Sequence, residues 1–145
     1  MLKRHFVAVS LLAALGSGAG MAEQADRSAL PIVTVTGATV IAFWEVPSSN
    51  AALVADPDFA SALDEQQYYW AETRDRLAVY GITPLDQPGR RFRVRDGQTE
   101  RLFSAPPDGA VIGYLLVEPG KTFEAIYRLQ YPDELIAAAT SFFGR

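Results

Sequence analysis

The sequence contains no cysteine, and its single histidine is His5. Each absence removes a class of chemistry. Without cysteine there is no thiol–disulfide exchange, no disulfide framework and no lipid attachment through an N-terminal cysteine. Without a histidine beyond residue 5, Ser-His-Asp and Cys-His nucleophilic systems are excluded, as are nearly all zinc sites and haem ligation by His or Cys. Lysine is almost missing as well: only Lys3 and Lys121 occur. Lys121 falls at a turn tip, which disfavours a Schiff-base role. No glycine-rich phosphate loop is present. Asp56-x-Asp58 lacks the later ligands and glycine of a calcium loop. The sequence therefore predicts no cofactor and no metal site, and it points away from an enzyme.

Carboxylates remain the one catalytic resource. Asp64, Glu65, Glu72 and Asp75 fall in one helical stretch. A paired-acid hydrolase would need two of them facing one cleft. The plainer reading is a solvated helix face shared with Arg74 and Arg76.

The N-terminus reads as a secretory signal peptide. Lys3, Arg4 and His5 precede an uncharged apolar and small-residue stretch from Phe6 to Gly20, and Gly20-Met21-Ala22 offers small residues for cleavage after Ala22. The apolar stretch is short for a transmembrane helix. Cleavage there removes Lys3 and Arg4 and leaves 11 basic against 17 acidic residues. The expectation is an exported, periplasmic or secreted acidic protein. It would have no integral membrane span after cleavage and no general attraction to nucleic acid or anionic lipid. Residues 23–30 read as a flexible lead-in and residues 31–145 as a single domain.

Within that domain the organising stretch is Thr39-Val40-Ile41-Ala42-Phe43-Trp44. A continuous apolar run of this kind predicts a strand covered on both faces, as in a sheet with helices on either side. It stops at Glu45 and the corner Pro47-Ser48-Ser49-Asn50, whose polar residues offer turn or N-cap chemistry. An earlier strand spans Leu30–Val35, with Pro31 suggesting an edge. Asp56-Pro57-Asp58 opens a long helix on which Phe59, Leu63, Trp70 and Leu77 recur at helical spacing, and Gly81 closes it. Tyr68 and Tyr69 point partly off that stripe and could join Trp44 in an aromatic surface. Ile82–Leu85 reads as a short strand.

Arg91-Phe92-Arg93-Val94-Arg95 alternates, and Asp96-Gly97 signals a hairpin whose return is Thr99–Phe103. A three-residue loop placing Phe92 opposite Leu102 is the expected register. Arg91, Arg93 and Arg95 then share one face, with Arg90 and Arg101 near. That face is either a candidate anion or acidic-partner site or a charged edge that blocks aggregation. Glu45 either pairs with an arginine or faces a binding cleft.

A hydrophobic strand ending in Phe43-Trp44, then a proline corner, then a helix, resembles the active-site strand of the thioredoxin-like superfamily. The C-terminal part is similar too. Gly113–Lys121 reads as a strand and turn, Phe123–Leu129 as its hairpin partner, and Pro132-Asp133-Glu134-Leu135 as the start of a closing helix. The likeness covers about Ala38 to Phe143. It implies an α/β fold with a mixed central sheet and a long helix after the first core strand. A β-hairpin then stands in for a helix, and the chain ends in a strand-strand-helix unit. The family's Cys-x-x-Cys motif is absent, as is a proline just before Gly113, so redox activity is not implied. What the resemblance implies instead is a non-catalytic module that holds a peptide or protein partner of the cell envelope. The partner would sit at Trp44, Glu45, Pro47, Ser48, Ser49 and Asn50, with Tyr114. The alternatives are an envelope structural protein that contacts acidic surfaces through the arginine hairpin, and a carboxylate-based enzyme.

Overall fold

The computed structural model describes residues 27–46, 50–106 and 112–145. The expected signal segment and the corner residues Pro47, Ser48 and Ser49 lie outside the described residues. The chain divides into two units at Pro31/Ile32. In the first, the Leu30 N–H donates to the Arg27 carbonyl and closes one helical turn. The second, Ile32–Arg145, is a mixed α/β fold whose described residues form two mixed sheets and three helices.

Strand β2 (Thr39–Trp44) is the hub, buried along almost its whole length. It pairs in parallel with β3 (Thr83–Pro88) and antiparallel with β6 (Ile112–Val117). β6 in turn pairs antiparallel with β7 (Glu124–Ile126). The sheet order is β3-β2-β6-β7. Two parallel neighbours need a crossover connection, here supplied by α1 (Ala51–Val54) and α2 (Pro57–Val79). α2 forms where its end signals predict. Asp56 Oδ1 accepts the Asp58 N–H at 2.9 Å, and Pro57 fills the first turn. Tyr80 caps the other end, and Gly81 follows at φ +67°, a left-handed conformation that costs glycine little. At ~1.5 Å per residue α2 is about 35 Å long. Its buried residues are Phe59, Gln66, Trp70, Thr73 and Leu77; Leu63 is half-buried.

Strand alternation sends Val40 and Ala42 to one face of this sheet and Ile41 and Phe43 to the other. The first face packs under α2 and α3 (Pro132–Phe143), with Trp70, Leu77, Leu135, Ile136, Ala139 and Phe143 against Tyr114 and Leu116. The second face corrects the expectation of helices on both sides. It is covered by a three-stranded sheet in the order β1-β4-β5, made of β1 (Ile32–Val35), β4 (Arg91–Asp96) and β5 (Thr99–Ser104). Val33, Val35, Phe92, Val94 and Phe103 meet Ile41, Phe43, Leu115 and Val117 there. The alternating arginine strand has one apolar face, and a sheet with one apolar face covers another sheet as well as a helix would.

The hairpin register also differs from expectation. The turn is the two residues Gly97 and Gln98, with Asp96 opposite Thr99 and Phe92 opposite Phe103. Gly97 adopts φ +63°, which suits a tight hairpin turn. The one-residue shift buries Phe103 with its ring 4.9 Å from that of Phe92, and leaves Leu102 exposed. The expected register would have reversed that, burying the smaller side chain and exposing the larger.

Candidate functional site

At the carboxyl ends of the parallel pair, α2 and the sheet leave a cleft of about 240 Å³. Ala42 and Trp44 from β2, Asp86 from β3, and Gln66, Gln67, Trp70, Ala71 and Arg74 from α2 line it. Ala42 lies directly across the ladder from Asp86, and its small side chain leaves the room. The chain has only two tryptophans, and both border this space.

The walls are fixed by polar contacts. The buried Trp70 indole donates its Nε1–H to Asp86 Oδ1 at 2.6 Å. Arg74 Nη1 donates to Asp86 Oδ2 at 3.0 Å. The carboxylate thus ties β3 to two positions one helical turn apart on α2, and the Arg74 charge balances its own. Gln66, also buried, sends Nε2 to the carbonyls of Phe43 (3.4 Å) and Gly113 (3.3 Å) and so pins α2 to both β2 and β6.

Of the corner residues proposed from the sequence, Trp44 is half-exposed in this cleft. The residue after it turns to the other face. Glu45 is buried, and its Oε2 lies 3.2 Å from Arg90 Nε. Of the two readings of Glu45, the arginine pair is the one found. Asn50 caps α1, its Oδ1 accepting the N–H groups of Ala52 (3.1 Å) and Leu53 (3.4 Å). Tyr114 is fully buried, its ring 5.8 Å from Trp70, so it is packed inside rather than presented to a partner. Burial pushes its hydroxyl up to about 12, offset in part by the Gln130 backbone and the Gln66 side chain. The expected aromatic surface divides in two: Tyr69 meets Tyr68 and Tyr131, while Trp44 meets the cleft.

The arginine face is heavily self-paired. Arg93 and Arg95 both contact Glu100, at 3.4 and 2.5 Å. The Arg95 hydrogen bond, set against some burial, holds the Glu100 carboxyl below the usual range. Arg91 shares their outward side of β4. Arg101 does not: it sits opposite Val94, pairs with Asp96 at 2.7 Å and stacks 4.1 Å above the Phe123 ring.

The free edge of β3 is blunted. The Thr83 amide donates to the Ala38 carbonyl, just before β2, and the Gly89 amide to that of Trp44 at its end. Odd-numbered amides of β3 therefore face β2 and even-numbered ones face out. The outward positions are Pro84, Asp86 and Pro88, two of which have no N–H. A partner adding a strand there would find one donor.

Trp70, Asp86, Gln66 and Arg74 were not singled out from the sequence as site residues. The signal that could have found them is the scarcity of tryptophan together with a lone aspartate between two prolines. Among the described residues no group of three or more His, Cys, Asp or Glu is placed to hold a metal, and no helix is long and apolar enough to cross a membrane. No protein-family model, curated protein or solved structure matches the chain.

Proposed function

We propose that this protein is an exported, non-catalytic thioredoxin-like binding module that holds a peptide or protein partner through the Trp44–Trp70 cleft, without redox activity. The order β3-β2-β6-β7, the long α2 between its parallel strands and the final β6-β7-α3 unit support the thioredoxin-like reading. The β1-β4-β5 sheet stands where that reading expects a helix. Such a likeness bears on fold, and function has to be argued from the site.

The observation that carries the proposal is the cleft itself. It opens at the carboxyl ends of parallel strands, where open α/β sheets place their ligands. Both tryptophans border it, and tryptophan is enriched at binding hot spots. At about 240 Å³ it is smaller than the ~300–1,000 Å³ typical of drug-sized ligand sites. One anchoring side chain of a larger partner fits it better than a free metabolite does. Among the described residues Asp86 is the one carboxylate lining it, and both of its oxygens are engaged. This favours binding over paired-acid hydrolysis.

A peptide display library selected on the purified protein tests the proposal. Selected peptides are expected to bind the protein in calorimetric titration. A Trp44→Ala variant should lose about 30-fold or more in affinity, the loss of a hot-spot residue. Equal affinity for both proteins would move the site elsewhere.

A further inference from the structure

The flank of α2 away from the cleft carries a second surface. The Tyr69 ring meets Tyr68 at 5.5 Å and Tyr131 at 5.0 Å between centroids, both edge-on. Tyr68 is 71% exposed and Tyr131 57%. Three phenol rings thus form a continuous array across the seam between α2 and the start of α3. Contiguous exposed aromatic surface of this kind usually marks an interaction site. The charges around it have one dominant sign. Glu65 stands one helical turn before Tyr69 on α2. Glu72 and Asp133 share a single guanidinium, that of Arg76, at 3.9 and 2.7 Å. Glu134 Oε2 accepts the Tyr131 N–H at 3.2 Å.

We propose that the Tyr68–Tyr69–Tyr131 surface docks an arginine-bearing segment of a protein partner. Aromatic ring faces attract cations, and the surrounding carboxylates supply the counter-charge. Arginine suits the surface better than lysine. Its flat guanidinium stacks on a ring while its fork of N–H groups reaches a carboxylate, and an ammonium does only the second. The same charges repel anions and nucleic acid. This surface lies on the α3 side of α2 and the cleft on the β3 side, so the proposal does not depend on the cleft reading.

The test is titration of the purified protein with a labelled peptide of alternating arginine and glycine, beside its lysine and citrulline counterparts. The arginine peptide should bind most tightly and the uncharged citrulline peptide not at all. A Tyr68→Ser/Tyr131→Ser variant, checked for folding by circular dichroism, keeps the charge and should bind about 5- to 20-fold more weakly. Tyr68→Phe/Tyr131→Phe keeps the rings and should bind within about twofold of the native protein. Trp44→Ala should bind normally. Undiminished binding by the serine variant would reduce the effect to bulk charge attraction and overturn the proposal. So would failure of the arginine peptide to bind, or loss of binding in Trp44→Ala.

Discussion

Gly113 of β6 has no room for a side chain. A Cβ there would lie 2.3 Å from the Ile126 carbonyl oxygen and 2.8 Å from Phe43 Cζ. Backbone on one side and a fully buried ring on the other leave little room to yield. Gly113→Ala should therefore cost about 2–3 kcal/mol, the upper part of the range for overpacking, read as a fall in the denaturation midpoint. Next to it, Tyr114 makes a pH prediction. Its folded-state value of about 12 lies above the ordinary tyrosine value near 10. The folded protein thus keeps this proton when the unfolded chain would lose it. Stability should be unaffected by this group below about pH 10, fall as pH rises through the interval, and level off above about 12. In an ultraviolet titration Tyr114 should ionise near pH 12, and Tyr114→Phe should remove that step. At this scale the sequence pointed to Trp44 because it ends an apolar run. It also offered Asn50 as a turn or N-cap residue, the role it takes, but it could not show that Glu45 turns to Arg90, since that outcome depends on which residues the fold brings opposite.

β3 shows how an element can be shaped by what it must avoid. Pro84 and Pro88 occupy outward-facing positions on a free edge, so the strand pairs with β2 but offers little to another chain. Pro84→Val/Pro88→Val would restore both donors without disturbing the amides that face β2. The variant should fold and associate with rising concentration, as sedimentation would show; a strictly monomer-like profile matching the native protein would contradict the edge assignment. Elements with strong local signals were legible. α2 could be placed from Asp56, Pro57 and Gly81 because capping is a local interaction. The β4–β5 register could not be, because a one-residue slip is decided by the tertiary choice between burying Phe103 and burying Leu102. α1 escaped notice, being four residues long and held largely by its Asn50 cap.

Across the Ile32–Arg145 unit, β2 is sandwiched between a helical layer and a second sheet. The sequence predicted a doubly covered strand correctly, because Val40 to Phe43 has no polar side to turn to solvent. It did not reveal the nature of each cover, since the apolar face of Phe92 and Val94 looks the same whether it meets a helix or a sheet. The cleft is a product of this arrangement, assembled from residues up to 44 positions apart, Ala42 and Asp86, and so had no local signature. Its content makes it testable without a label. Only two indole N–H resonances exist in the protein, and both belong to the cleft. The decisive measurement is a ¹⁵N correlation spectrum of the protein titrated with a display-selected peptide. Both indole resonances should shift and saturate together at the calorimetric affinity. A peptide that binds and perturbs backbone amides elsewhere while both indoles stay fixed would show that the cleft is not the binding site.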